Sequence, residues 1–232
     1  MTQAPAPTPR SRLRILIVED HVLFAESLEL ALSVEGYDVR RVQVPHEVGS
    51  TGALISSLIR LKPRIVLLDL DLGRFGDGIR LIARLATAGI NVVVMTGSTD
   101  RSRWGEAIRH GARTVVSKGR PLSDILGTVR RIHQGLPVLA HDEREDLLRE
   151  WQRRRAEQME MQTRLSLLTV REAQVLGELM HGHTVHDIAA ASVVSEATVR
   201  TQVKSILAKL QVSSQLAAVG MAHGLGWSPP AA

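Results

Sequence analysis

From residue 13 to residue 135 the chain alternates short, unbroken apolar runs with amphipathic stretches. The runs at 13–18, 65–68, 92–95 and 114–117 are rich in Val, Ile and Leu, as strands buried on both faces are, and 38–44 is a weaker fifth. Between them, 23–34, 52–61, 78–86, 104–110 and 122–133 carry helical spacing, the first closed by Gly36 and the last by Gly135. Five strand-helix units in this length predict an α/β domain with a doubly wound, five-stranded parallel sheet. In such sheets the ligand site lies beyond the carboxyl ends of the strands.

The pattern then changes. From 143 to 164 most residues are charged or good helix formers, and Leu147, Leu148, Trp151, Met159, Met161 and Leu165 make only a partial stripe, interrupted by Arg154, Arg155, Gln158 and Gln162. The segment 136–164 is read as a helical linker that contributes to a dimer, not as a free-standing coiled coil. After it the chain is all-α. Thr169 and Glu172 form a capping box, Gly182 ends that helix, Thr184 caps a short one, Ser195 caps a longer one to Leu210, and Ser213 or Ser214 opens a fourth. A long helix, a short helix, a tight turn and an amphipathic helix make a four-helix domain with a helix-turn-helix pattern over 165–226, followed by a tail at 227–232.

Composition narrows the classes. There is no cysteine, which excludes disulfide frameworks and thiol catalysis, and no apolar run approaches the ~18 residues of a membrane span. Residues 1–12, rich in Pro, Ala and Thr, read as a disordered leader and not a signal peptide, so a cytoplasmic location is expected. The net charge of +5 lies in the leader and in 11–135; residues 165–232 hold four bases against four acids. Bulk charge therefore names no partner.

The chemistry sits at the predicted strand ends. Glu19 and Asp20 follow the first strand and Asp69 the third, so a parallel sheet brings three carboxylates to one edge, where they repel unless they share a cation. Oxygen ligands of this kind suit Mg2+. Thr96 and Lys118 end the fourth and fifth strands, adding a hydroxyl and an ammonium. A nucleophilic carboxylate, a metal cradle and two donors for phosphoryl oxygens are the parts that phosphoryl transfer needs. As an isolated pair, Glu19 and Asp20 would be helix-capping acids. His21 is read as structural, since imidazole has no part in an oxygen-ligated Mg2+ site.

With ILIVEDH at 15–21, VLLDLDL at 66–72, Asp77-Gly78, VVMTG at 93–97 and GARTVVSK at 111–118, residues 13–135 resemble the receiver domain of two-component response regulators, a flavodoxin-like fold. The resemblance implies that Asp69 accepts a phosphoryl group from a sensor histidine kinase. It also implies that Glu19, Asp20 and Asp69 hold Mg2+, that Thr96 bonds a phosphoryl oxygen, and that Lys118 pairs with the phosphoryl charge. Two positions depart from the family. Val115 stands where an aromatic residue usually reports phosphorylation, and Gly73 where a proline is common.

Residues 165–226 resemble the LuxR-type helix-turn-helix of the LuxR/FixJ-type regulators through LTVREAQVL at 168–176, GHTVHDIA at 182–189 and SEATVRTQVKSILAKL at 195–210. On the last of these helices Val199, Val203, Ile206, Leu207 and Leu210 share one face, which turns Arg200, Thr201, Lys204, Ser205 and Ala208 outward. The resemblance places Arg200, Thr201 and Lys204 at bases in the major groove and Thr198, Ser195 and Lys209 at phosphates. Val185 and Gln202 depart from residues common there. His181, His183 and His186 are read as surface residues.

These readings converge on a DNA-binding transcriptional regulator, not an enzyme beyond its own phosphoryl transfer, that acts as a homodimer on a two-fold DNA site, with a histidine kinase and RNA polymerase as the further partners implied. Two alternatives stand beside it. One is an atypical regulator that works without phosphate, motivated by Val115. The other is a haloacid-dehalogenase-like phosphatase using Asp69 and Asp71, with Asp142 and Asp146 as a late acidic motif.

Overall fold

The computed structural model describes residue 10 and residues 13–44 and 51–229. The leader expected over 1–12 lies outside these residues apart from Arg10, and so do the last three residues of the expected tail. The chain divides into two compact units, Met1–Gln152 and Arg153–Ala232. No described helix is long and apolar enough to cross a membrane.

The first unit runs β1 (Arg14–Val18), α1 (Val22–Val34), β2 (Asp38–Val42), α2 (Thr51–Arg60), β3 (Ile65–Asp69), a single 3-10 turn (Gly73–Phe75), α3 (Ile79–Thr87), β4 (Asn91–Thr96), α4 (Arg101–Arg109), β5 (Thr114–Ser117) and α5 (Leu122–His133). All strands are parallel in the order β2-β1-β3-β4-β5, so the order reverses between β1 and β3. The apolar runs lack alternation because both faces are covered. Leu16, Val18, Val66, Leu68, Val92 and Val94 pack into one core layer, and Ile15, Ile17, Ile65, Leu67, Val93 and Met95 into the other. Pairing of Val18 with Leu68, Asp69 with Met95 and Thr96 with Ser117 aligns the carboxyl ends of four strands.

Two elements differ from the sequence reading. Helix α4 starts at Arg101, not 104, because the Asp100 side chain accepts hydrogen bonds from the Ser102 and Arg103 amides and caps the helix. The expected linker also begins as part of the first unit. Helix α6 (His141–Ser166) buries Leu147 to 1% exposure in the same core layer as Ala107 and Ile108 of α4, with Leu148 half-buried against it. Its charged surface hid a docking face only a few residues wide.

The second unit contains α7 (Val170–Met180), α8 (Val185–Ala191), α9 (Glu196–Leu210) and α10 (Gln215–Gly224). Thr169 and Glu172 form the expected capping box, Thr184 and Asp187 form a second, and Ser195 and Ser214 cap α9 and α10. Val175, Leu176, Ile188, Val199, Val203, Ile206, Leu210, Ala218 and Ala222 make its core. The turn between α8 and α9 holds Val193 at φ +54°, a strained conformation for a β-branched residue.

Candidate functional site

Five strand-end residues meet where the sequence placed them. Asp69 is 1% exposed at the end of β3, and Glu19, Asp20, Asp69 and His21 each present a ligand atom within 4.8 Å of the others. The Lys118 ammonium donates to Asp69 Oδ2 at 2.6 Å and to Glu19 Oε1 at 2.8 Å. Its own backbone N–H donates to the Thr96 carbonyl at 2.8 Å, which fixes β5 beside β4 at this edge. Thr96 is buried, and its Oγ1 accepts the Ser98 amide at 3.0 Å.

The electrostatics follow from this geometry. Burial raises the Asp69 carboxyl above the ordinary carboxylate range and the neighbouring Glu19 charge adds to that, although Lys118 opposes it. Burial works against the Lys118 charge, but hydrogen bonds to Asp69 and Glu19 outweigh it and the ammonium is raised. His21 is raised chiefly by its hydrogen bond to Glu19, then by the Asp20 charge; its Nδ1 lies 2.9 Å from an oxygen of each acid. The imidazole thus lies against both acids.

The loop after Asp69 is built around the site. Asp71 Oδ1 accepts the Gly73 amide at 3.3 Å and Asp77 Oδ1 the Ile79 amide at 3.0 Å. Gly73 has φ +55°, a conformation that proline cannot adopt, and an added Cβ would come 2.7 Å from Asp20 Oδ2. A Cβ at Gly78 would overlap the Asp69 carbonyl oxygen. A cleft of about 410 Å³ opens above Asp69, walled by Thr96, Ser98, Arg103 and Lys118, and a second of about 680 Å³ adjoins Glu19, Asp20 and Gly73. Three carboxylates against one ammonium leave a charge deficit that an oxygen-seeking divalent cation fits. Arg103, which pairs with Asp77 at 2.9 Å, was not anticipated at this site, because its position depends on how α4 begins. Val115 is half-buried against the core layer shared with α4.

On α9 the expected core face is buried, with Leu207 only half-buried, and Arg200, Thr201 and Lys204 are exposed with Ser195 and Thr198 at the same end. Arg200 shares Glu196, at 3.0 Å, with His186 of α8, also at 3.0 Å, whereas Lys204 has no side-chain partner among the described residues. Two assignments need correction. Ser205 does not turn outward, and Lys209 does not stand free for a phosphate. Both donate to the buried Glu172 carboxylate at 2.6 Å, because the capping glutamate of α7 reaches α9 and needs donors for its oxygens. Burial disfavours the Glu172 charge, but Lys209, Ser205 and Thr169 outweigh it and hold the carboxyl down at about 2.

The response regulator receiver domain family matches residues 15–130, and the bacterial regulatory protein luxR family matches residues 166–222. The chain is similar to the response regulator protein VraR of Staphylococcus epidermidis, 29% identical over 89% of this chain and 94% of that one. It is also similar to a nitrate/nitrite response regulator protein homolog of Haemophilus influenzae, 26% identical over 90% and 95%. Among solved structures, RcsB of Salmonella enterica serovar Typhimurium, bound to a promoter in the presence of a phosphomimetic, aligns over 90% of this chain and 98% of that one, with 21% identity and a TM-score of 0.47. Neither family is a phosphatase family, and Asp71 is occupied in closing its loop while the Asp146 carboxylate pairs with Arg149. The chain is a response regulator, with a receiver domain followed by a LuxR-type DNA-binding domain.

Proposed function

We propose that Asp69 accepts a phosphoryl group from a sensor histidine kinase in the cytoplasm, and that the modified chain binds a two-fold DNA site as a homodimer to control transcription. The observation that carries this is the Lys118 ammonium held between Asp69 and Glu19 at the floor of an open cleft with Thr96 on its wall. An Asp69 oxygen attacks phosphorus in line, the bond from phosphorus to the histidine nitrogen breaks, and the imidazole leaves. Lys118 and the Thr96 hydroxyl then face the new phosphoryl oxygens. Glu19, Asp20 and Asp69 would hold Mg2+, which when bound supplies charge neutralisation for the phosphoryl oxygens. Water later hydrolyses the acyl phosphate and restores the carboxylate.

At the other end, Lys204 and Arg200, one turn apart on α9, are suited to guanine edges, while Thr201 lies beside them and Ser195 and Thr198 suit phosphates. Lys209 is committed to Glu172, which leaves few cations for the DNA backbone. A single copy then binds weakly with a shallow salt dependence, and pairing two copies restores affinity. The test selects a site from random duplexes and compares binding with and without Mg2+ and a small phosphodonor. Tighter binding on phosphorylation, absent in Asp69→Asn, is expected; equal binding in both states would refute phosphate control.

A further inference from the structure

The Val115 side chain has no polar atom with which to follow a charge that arrives at Asp69, yet the loop after Thr96 is tied to an aromatic residue elsewhere, Trp104. Ser98 donates its amide to Thr96 Oγ1 at 3.0 Å, and its carbonyl accepts the indole N–H of Trp104 at 2.9 Å. The Ser98 hydroxyl also accepts the Asp100 amide at 3.2 Å, so the loop and the α4 cap form one hydrogen-bonded unit. Trp104 is half-buried against the core layer that contains Ala107, Ile108 and Leu147.

Gly105, the next residue, faces the start of α6. An added Cβ would overlap the Leu147 carbonyl oxygen and come 2.8 Å from Trp151 Cβ. One turn on, the Arg109 guanidinium lies 6.0 Å from the centre of the Trp151 ring. The two helices therefore meet nearly backbone to backbone, and a close-packed contact of this kind transmits displacement.

We propose that Trp104 is a positioning residue that carries the phosphorylation state of Asp69 from the Thr96 loop to α4, and from α4 to the docked start of α6. The proposal rests on Asp69 being the phosphoacceptor. A phosphoryl group brings acceptor oxygens to the cleft, and the Thr96 hydroxyl donates to one of them. The Ser98 amide bonded to Thr96 Oγ1 follows, and the Ser98 carbonyl moves with it. An indole offers one donor and no acceptor, so Trp104 can keep its bond only by moving too. Arg103 adds a second link on the same helical turn, because its side chain walls the cleft and its guanidinium, paired with Asp77, has further donors for the phosphoryl oxygens.

The test measures amide hydrogen exchange in 101–109 and 141–152 of the full chain, with and without Mg2+ and acetyl phosphate, alongside the phosphorylated fraction by mass. In the wild type both segments change exchange on phosphorylation. Trp104→Phe keeps an aromatic ring but loses the N–H, so it is expected to keep the unphosphorylated exchange pattern and the phosphorylated fraction while losing the response in 141–152. Gly105→Ala, which wedges the helices apart, raises exchange in 141–152 without phosphodonor. A full wild-type response in phosphorylated Trp104→Phe overturns the relay alone. Failure to phosphorylate the wild type overturns the reading of Asp69, and the relay with it.

Discussion

Replacing Glu172 by Gln tests how the DNA-reading helix is held. In the native domain this carboxylate, 7% exposed, accepts the Thr169 amide at 2.7 Å, the Thr169 hydroxyl at 2.9 Å, and Ser205 and Lys209 at 2.6 Å each. Its pKa falls from 4.5 to about 2. The folded value is the lower one, so the stabilisation is complete above the unfolded pKa and is lost as pH falls through the folded one. At about 1.4 kcal/mol per unit, that difference corresponds to roughly 3 kcal/mol. Hydrogen-bond energetics agree, since loss of a charge-assisted bond costs about 1.5–3 kcal/mol. Glu172→Gln should therefore lower stability by about 2–3 kcal/mol at neutral pH, or roughly 10–20 °C for so small a unit. It should also flatten the acid limb between the two pKa values. Calorimetric unfolding of the full chain from about pH 2 to 7 reads both effects. Lys209→Met in the same background should add little, because the pair is already broken. An unfolding temperature and acid limb like those of the wild type would refute Glu172 as the anchor of α9.

Three further outcomes follow from the same structure. Gly78→Ala, whose Cβ meets the Asp69 backbone, should destabilise the receiver domain by about 1–3 kcal/mol and lower its phosphorylation rate, read by denaturant unfolding and intact mass. Val193→Gly should raise stability of the DNA-binding domain by up to ~1 kcal/mol, since it relieves a positive φ at a residue 92% exposed, and unchanged unfolding would contradict that strain. Lys204→Ala should weaken binding to a selected duplex by about 1–3 kcal/mol and relax preference at one base, while an unchanged footprint would remove Lys204 from the groove face.

The sheet and its acidic edge were legible because each depends on short-range pattern. Continuous apolar runs mark strands covered on both faces, and residues at strand ends need only the parallel topology to converge. The caps at Thr169, Thr184 and Ser195 were legible for the same reason, since four consecutive residues contain the whole motif. What the pattern hid depends on contacts across the fold. Glu172 read as a local capping residue, yet it also binds side chains 33 and 37 positions away, which withdrew Ser205 and Lys209 from the exposed face. The docking of α6 rests on Leu147 and on the missing Cβ of Gly105, too few positions to stand out in a charged segment. Trp104 fell at the expected start of a helix because the Asp100 cap was missed, so its bond to the loop after Thr96 could not be anticipated.

The central claim is that Asp69 is the group that receives phosphate. Its most direct test is intact-mass analysis of the full chain after incubation with Mg2+ and acetyl phosphate, followed by mapping of the modified residue. The account predicts one added phosphoryl group on Asp69, lost in Asp69→Asn and suppressed when Mg2+ is chelated. A chain that gains no phosphoryl group, or gains one equally in Asp69→Asn, would contradict it.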